Sequence, residues 1–255
     1  MNETELLALW EQALLLAPPA RERALARAAG AAPHATLGQY NHALLQLRER
    51  LFGRRLALRV ACPRCAGELD FEADSAALGL SPCNVPAAAV RQIEHGGLRV
   101  HFRAPRVDDL EALAGDATAN AGAEAFARAL FERCVVEVEG SGDGTHALES
   151  AVDRAPTGRR AAALSREVQA AVALQLDALD PHTSLEFALH CPACGHHFDA
   201  PLDLAALLWS ELRHRAEQIL ADVAALAHAY GWREGDVLGL TPTRRAAYLQ
   251  LAQAL

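Results

Sequence analysis

Apolar positions recur at two spacings along this chain, and each change of spacing marks a change of element. Leu6, Leu7, Trp10 and Leu14 share one helical face, and Asn2 with Glu5 has the form of a capping box at its start. Pro18-Pro19 is expected to stop that helix, and a shorter one over residues 21–29 ends at Gly30. Leu37, Tyr40, Leu44, Leu47 and Leu51 define a third, beginning near Thr36 and ending at Gly53. The period returns over residues 161–179, through Leu164, Val168, Val172 and Leu179, until Asp180-Pro181 breaks it. It is longest after Leu204, where Leu208, Leu212, Ala216, Ile219, Val223, Leu226 and Tyr230 form one stripe capped by Gly231. A helical turn over residues 236–240 and a last helix opened by Thr241-Pro242 follow. Core packing accounts for each stripe, and the long C-terminal one leaves room to dock another chain.

Elsewhere the period drops to two. Residues 90–94 and 98–103 alternate around His95-Gly96-Gly97, which predicts a hairpin ended by Pro105. Asp108 or Asp109 is placed to cap a helix starting at Leu110. Residues 121–133 read as helix, 135–139 as strand, and 75–80 as a short helical piece. Gly140-Ser141-Gly142-Asp143-Gly144 and residues 154–160 read as loop. No GK[ST] follows those glycines, so they do not make a phosphate loop.

Two further alternating pairs enclose near copies of one motif. Residues 56–60 and 68–72 flank Cys62-Pro63-Arg64-Cys65-Ala66-Gly67, and residues 184–189 and 196–200 flank Cys191-Pro192-Ala193-Cys194-Gly195-His196. Two strands meeting at a CPxC turn make a metal knuckle, in which both sulfurs point at one spot and a glycine in the left-handed conformation lets the chain leave. One knuckle supplies two ligands and a closed tetrahedral zinc site needs four, so Cys62, Cys65, Cys191 and Cys194 are expected to close one zinc ribbon across the insert. The competing reading is two hairpins with free thiols. A redox CxxC fits less well, because it opens a helix after a strand and here strands follow. Four thiolates leave no open coordination position, so the single Zn2+ would be structural and its binding energy would go into folding.

Composition narrows the picture. The 255 residues are 51 % hydrophobic and 5 % aromatic, with a net charge of −8, which suits helices packed through small residues. An acidic chain must overcome phosphate repulsion, so no nucleic-acid partner is expected. The best candidate for a basic patch is Arg48, Arg50, Arg54 and Arg55, though a solvated helix end is the preferred reading of that run. Six cysteines, four of them in CxxC pairs, read as metal binding in a reducing compartment rather than a disulfide framework. Cys134 reads as a small buried hydrophobe, and Cys83 sits in a proline-rich loop with no role to assign. Neither a signal peptide nor a membrane-length apolar run is read, so a cytoplasmic location is expected.

No GxSxG, HExxH or P-loop frame is found, and an enzyme is not expected. His190, His196 and His197 adjoin the second knuckle, where one of them is an alternative ligand, but four cysteines already complete the set. Asp108 and Asp109 are explained by a helix N-terminus without acid–base chemistry.

The order Leu6-Leu7-Ala8-Leu9-Trp10-Glu11, Leu47-Arg48-Glu49-Arg50-Leu51-Phe52-Gly53, CPRC, Val100-His101-Phe102-Arg103-Ala104-Pro105, Arg133-Cys134-Val135, Leu179-Asp180-Pro181 and CPAC-Gly195-His196 is distinctive. So is the ending Leu208-Trp209-Ser210-Glu211-Leu212, Tyr230-Gly231-Trp232, then residues 238–249. Together they resemble the baseplate-associated proteins of contractile injection systems and phage tails, related to the T-even-phage baseplate hub assembly family. The resemblance runs through nearly the whole chain and is most specific at the C-terminus. It implies a baseplate or hub assembly factor that binds baseplate, hub, spike or tail-tube proteins, either staying in the particle or leaving as a chaperone. The rival reading is a zinc-ribbon nucleic-acid-binding regulator, and a third is a hydrolase built on the spare histidines. The expected fold is α+β and mostly helical, with a split zinc ribbon of two CPxC β-hairpin knuckles and a small antiparallel sheet in the insert. Its segments are a helical 1–55, the ribbon 56–73 with 183–200, the insert 74–182 and a helical 201–255.

Overall fold

A computed structural model describes residues 2–80, 86, 89–115, 122–140, 161 and 164–252. Cys83, most of the glycine loop after Gly140 and residues 154–160 fall outside them. The described chain is mostly helical with three small antiparallel sheets, and it divides into two compact units, residues 1–28 with 203–255 and residues 29–202.

The first unit is all helix. Its elements are α1 (Glu3–Leu14), α2 (Pro18–Ala28), α7 (Leu204–Tyr230), α8 (Glu234–Leu238) and α9 (Pro242–Ala252). The capping box at Asn2 and Glu5 forms as expected. The prolines expected to stop α1 instead open α2, where a helix tolerates proline because its first N–H groups are unpaired anyway. On α1 the buried positions are Leu6, Leu7, Leu9 and Ala13, whereas Leu14 is exposed. On α7 the stripe Leu204, Leu208, Leu212, Ala216, Ile219 and Leu226 is buried throughout. One carboxylate ties three of these helices together: Glu3 accepts from Arg215 and from the buried Arg245. The Arg21 guanidinium lies 4.5 Å over the Trp209 ring, and Tyr230, Trp232 and Tyr248 pack edge to face and stacked.

The second unit holds α3 (Leu37–Phe52), the hairpin β1 (Arg55–Ala61) and β2 (Glu68–Asp74), β3 (Val90–His95), β4 (Leu98–Arg103), α4 (Val107–Ala114), α5 (Ala123–Cys134), β5 (Val135–Gly140), α6 (Arg166–Leu179), and the hairpin β6 (Glu186–His190) and β7 (His197–Pro201). The central sheet runs β3-β4-β5, all antiparallel. One face of it, Val100, Phe102, Val135 and Val138, packs on Leu164, Val168 and Val172. The helix after Pro105 starts at Val107 rather than Leu110. Asp109 is its third residue and reaches back to the Arg106 N–H at 2.9 Å, so it completes a cap without being the cap.

Asp180-Pro181 does more than break α6. Asp180 is fully buried, and its Oδ2 accepts the Gly38 N–H at 2.8 Å in the first turn of α3. Asn41 Nδ2 donates to the carbonyl of His182 at 2.8 Å, and Thr183 Oγ1 donates to that of Asp180 at 2.9 Å. The chain entering the second hairpin is thus pinned to the helix that leads into the first, and helix dipole and amide both favour the carboxylate there.

Candidate metal centre

Each hairpin carries its two cysteines at the tip. β1 pairs with β2 in register from Arg55–Asp74 to Ala61–Glu68, and β6 with β7 from Glu186–Pro201 to His190–His197. In both tips the first cysteine makes two matching backbone bonds. The Cys62 N–H donates to the Gly67 carbonyl at 2.9 Å and the Cys62 carbonyl accepts from Ala66 at 2.8 Å. The Cys191 N–H donates to the His196 carbonyl at 2.8 Å and the Cys191 carbonyl accepts from Gly195 at 2.9 Å. The residue after the second cysteine turns left-handed, with φ of 57° at Ala66 and 70° at Gly195. In the first knuckle this role falls to Ala66 and not to the expected Gly67. Gly67 instead lies close to the sulfur, and a Cβ there would sit 3.3 Å from Cys65 Sγ, a tight contact.

The two tips face each other. Cys62 Sγ lies 3.7 Å from Cys194 Sγ across 132 positions of sequence, and Cys65 Sγ lies 3.7 Å from Cys191 Sγ. All four sulfurs lie within 4.8 Å of one another, and all four cysteines are free. Sulfurs bonded at about 2.3 Å to one tetrahedral ion are about 3.8 Å apart, so both pairs sit at metal-bridged separation. Cys62 and Cys191 are buried, Cys194 is half-buried and Cys65 is exposed. A second contact joins the hairpins, where Phe71 of β2 meets Phe187 of β6 edge to face at 5.4 Å. The hairpins are otherwise largely exposed. Two-stranded pieces this short lack an apolar core of their own, and an ion bound by all four thiolates would supply the missing cross-link.

The thiols divide electrostatically. Burial raises the Cys62 thiol, but the N–H groups of Cys65 and Arg64 and the neighbouring Cys191 and Cys65 thiols together bring it down to about 7. The His196 N–H favours ionisation of Cys194, but burial and the sulfurs of Cys65, Cys191 and Cys62 push it up to about 12. Four sulfurs this close cannot all carry charge unless a cation joins them.

The neighbouring histidines stay outside the sulfur group. His190 and His197 face each other across β6–β7 with ring centroids 4.5 Å apart, and His196 stacks on Phe198. Cys134 is buried too, and burial pushes its thiol up to about 12. Of the candidate basic patch Arg50 is exposed, and the other three arginines are engaged. Arg48 is buried and donates to the Gly53 carbonyl, while Arg54 pairs with Asp74 and Arg55 with Glu72. Arg59 pairs with Asp70 along the same hairpin.

Two polar nodes escaped the sequence reading. One is the Asp180–Gly38 link. The other is Asp109, buried and held by a fork from Arg103 at 2.7 and 2.8 Å, with Arg133 at 3.3 Å. The first joins residues 142 positions apart, and the second adds Arg133, 24 positions away, to a local Arg103–Asp109 pair, so no local pattern marks either in full.

Compared with known proteins, residues 31–209 match the family model described as T4 bacteriophage base plate protein. No curated protein and no solved structure gives a significant match. The matched stretch holds all four cysteines, and its edges fall close to those of the second unit, residues 29–202. The C-terminal motif over residues 230–249, on which the resemblance drew most, lies beyond it.

Proposed function

The chain belongs to the T4 bacteriophage base plate protein family, and from that premise we propose that it is a non-enzymatic assembly factor or component of the baseplate of a contractile, phage-tail-like particle. It acts by binding other baseplate, hub, spike or tail-tube proteins, either leaving as a chaperone or staying in the particle. The observation that carries the reading is a family match that coincides with one compact unit and encloses the four-sulfur cluster.

In this reading Cys62, Cys65, Cys191 and Cys194 hold one zinc ion. Four thiolates in a tetrahedron suit Zn2+, fill its coordination and leave no position for substrate. The ion fastens the two hairpins, and with them the ends of the insert, into one rigid body. Such a body presents its surface to a partner at little ordering cost. No helix of the described residues is long and apolar enough to cross a membrane.

The nucleic-acid reading loses ground with the arginines, since those of the first hairpin pair with Asp70, Glu72 and Asp74 and offer phosphate little free charge. The test is co-expression of the tagged full chain with the neighbouring tail-tube, hub and spike proteins. Specific co-purification of one of them, lost in Cys62→Ser, is the expected result. Capture of none, with retention on DNA or RNA that falls steeply with salt, would replace this reading by the regulator.

A further inference from the structure

The face of the central sheet turned away from its core carries a donor set that the sulfur cluster does not use. Val100 and Phe102 point into the core, so their β4 neighbours Arg99 and His101 point out. Across the strand boundary His101 pairs with Glu137 and Arg99 with Glu139. A register shift between His101 and Phe102 follows directly. The result is one imidazole nitrogen and two carboxylate oxygens, from His101, Glu137 and Glu139, all within 4.8 Å of one another.

Three features point to a cation. First, His101 Nε2 is buried and has no hydrogen-bond partner, and the oxygen it faces, Glu139 Oε1, is 3.6 Å away, too far for a hydrogen bond. Donors bonded at about 2.1 Å to one tetrahedral ion lie about 3.4 Å apart, so this spacing suits a bridging metal better than direct contact. Second, the carboxylates beside His101 have little cationic cover. Arg99 is divided between Glu94 at 2.7 Å and Glu139 at 3.2 Å, and Arg103, further along the same face, is taken up by Asp109. Third, Arg99 takes Glu139 Oε2 and leaves Oε1 turned to His101, as an outer partner orients a metal-binding carboxylate.

We propose that His101, Glu137 and Glu139 form a second metal site, separate from the four sulfurs, that takes one first-row divalent cation of the manganese-to-zinc class. Imidazole with carboxylates suits such ions, and three protein donors leave the remaining positions to water.

Manganese separates the two sites, because thiolates disfavour it and carboxylates accept it. The full chain is given one equivalent of zinc, which the four thiolates take first, then titrated with Mn2+, and the loss of the free-ion electron paramagnetic resonance signal is followed. One site per chain is expected, weakened at least about tenfold in His101→Gln and in Glu137→Gln, with zinc content and far-ultraviolet circular dichroism unchanged. Wild type binding Mn2+ no more tightly than His101→Gln overturns the proposal. Should either variant fail to fold, the wild type still decides: Mn2+ must broaden the His101 imidazole resonances before those of the other histidines. Equal broadening of all of them overturns the site.

Discussion

Gly38→Ala is the sharpest test of how the second unit is held together, because two physical effects oppose each other there. In an exposed helix the change gains about 1 kcal/mol, since glycine loses more backbone freedom on folding. Here a Cβ would sit 1.9 Å from Asp180 Oδ1 and 2.8 Å from its Cγ, inside any permitted contact. The carboxylate would have to retreat by about an ångström in a packed interior where it has no exposure at all. That breaks the bond it accepts from the Gly38 N–H. A hydrogen bond to a charged group is worth about 1.5–3 kcal/mol, overpacking adds about 1–3, and the helix gain subtracts about 1, leaving a loss of about 1.5–5 kcal/mol. Trp10, Trp209 and Trp232 all lie in the first unit, so tryptophan fluorescence follows that unit alone. Urea melts read by fluorescence and by circular dichroism should therefore separate, with only the dichroism component moving to lower urea. Asp180→Ala should remove the clash, so the double variant should cost less than the two single changes summed. A Gly38→Ala chain as stable as wild type, or more stable, would refute the argument.

Cys191→Ser and Cys62→Ser should each abolish stoichiometric metal by elemental analysis and lower the melting point of the second unit by similar amounts, since either breaks the same closure. Wild-type metal content and melting in either variant would reject a shared site. Ala66→Gly should stabilise by up to about 1 kcal/mol and Gly195→Ala should destabilise by about the same, because both positions are left-handed and only glycine is unstrained there. Urea midpoints at equal slope decide it, and a Gly195→Ala chain as stable as wild type would sink it. Burial would raise the Asp109 carboxyl, but hydrogen bonds from Arg103, the Arg106 N–H and Arg133 hold it below the usual carboxylate range. A depressed folded pKa adds stability that is present above about pH 4 and lost as pH falls through the folded value. Asp109→Asn should therefore cost about 3 kcal/mol at pH 7 and flatten the acid limb of the stability profile. An unchanged limb would show that the arginine fork is not what protects the fold in acid.

What the sequence determined was local. Helix periods, the capping box at Asn2, the two hairpins and both CPxC tips could be read because each depends on residues within one or two turns of each other. The tertiary structure decided which distant groups meet. It brought Cys62 to Cys194 and seated Asp180 on Gly38. It turned Arg103 and Arg133 onto Asp109, and gathered His101 with two glutamates of the next strand. It also gave the left-handed turn of the first knuckle to Ala66, where backbone bonding fixed by the strand pairing outweighs the preference for glycine. Spacing along a chain encodes short-range geometry, whereas a buried carboxylate finds its amide only after the chain has closed on itself; the four cysteines are the exception, because one knuckle supplies half of a tetrahedral set and so calls for its copy.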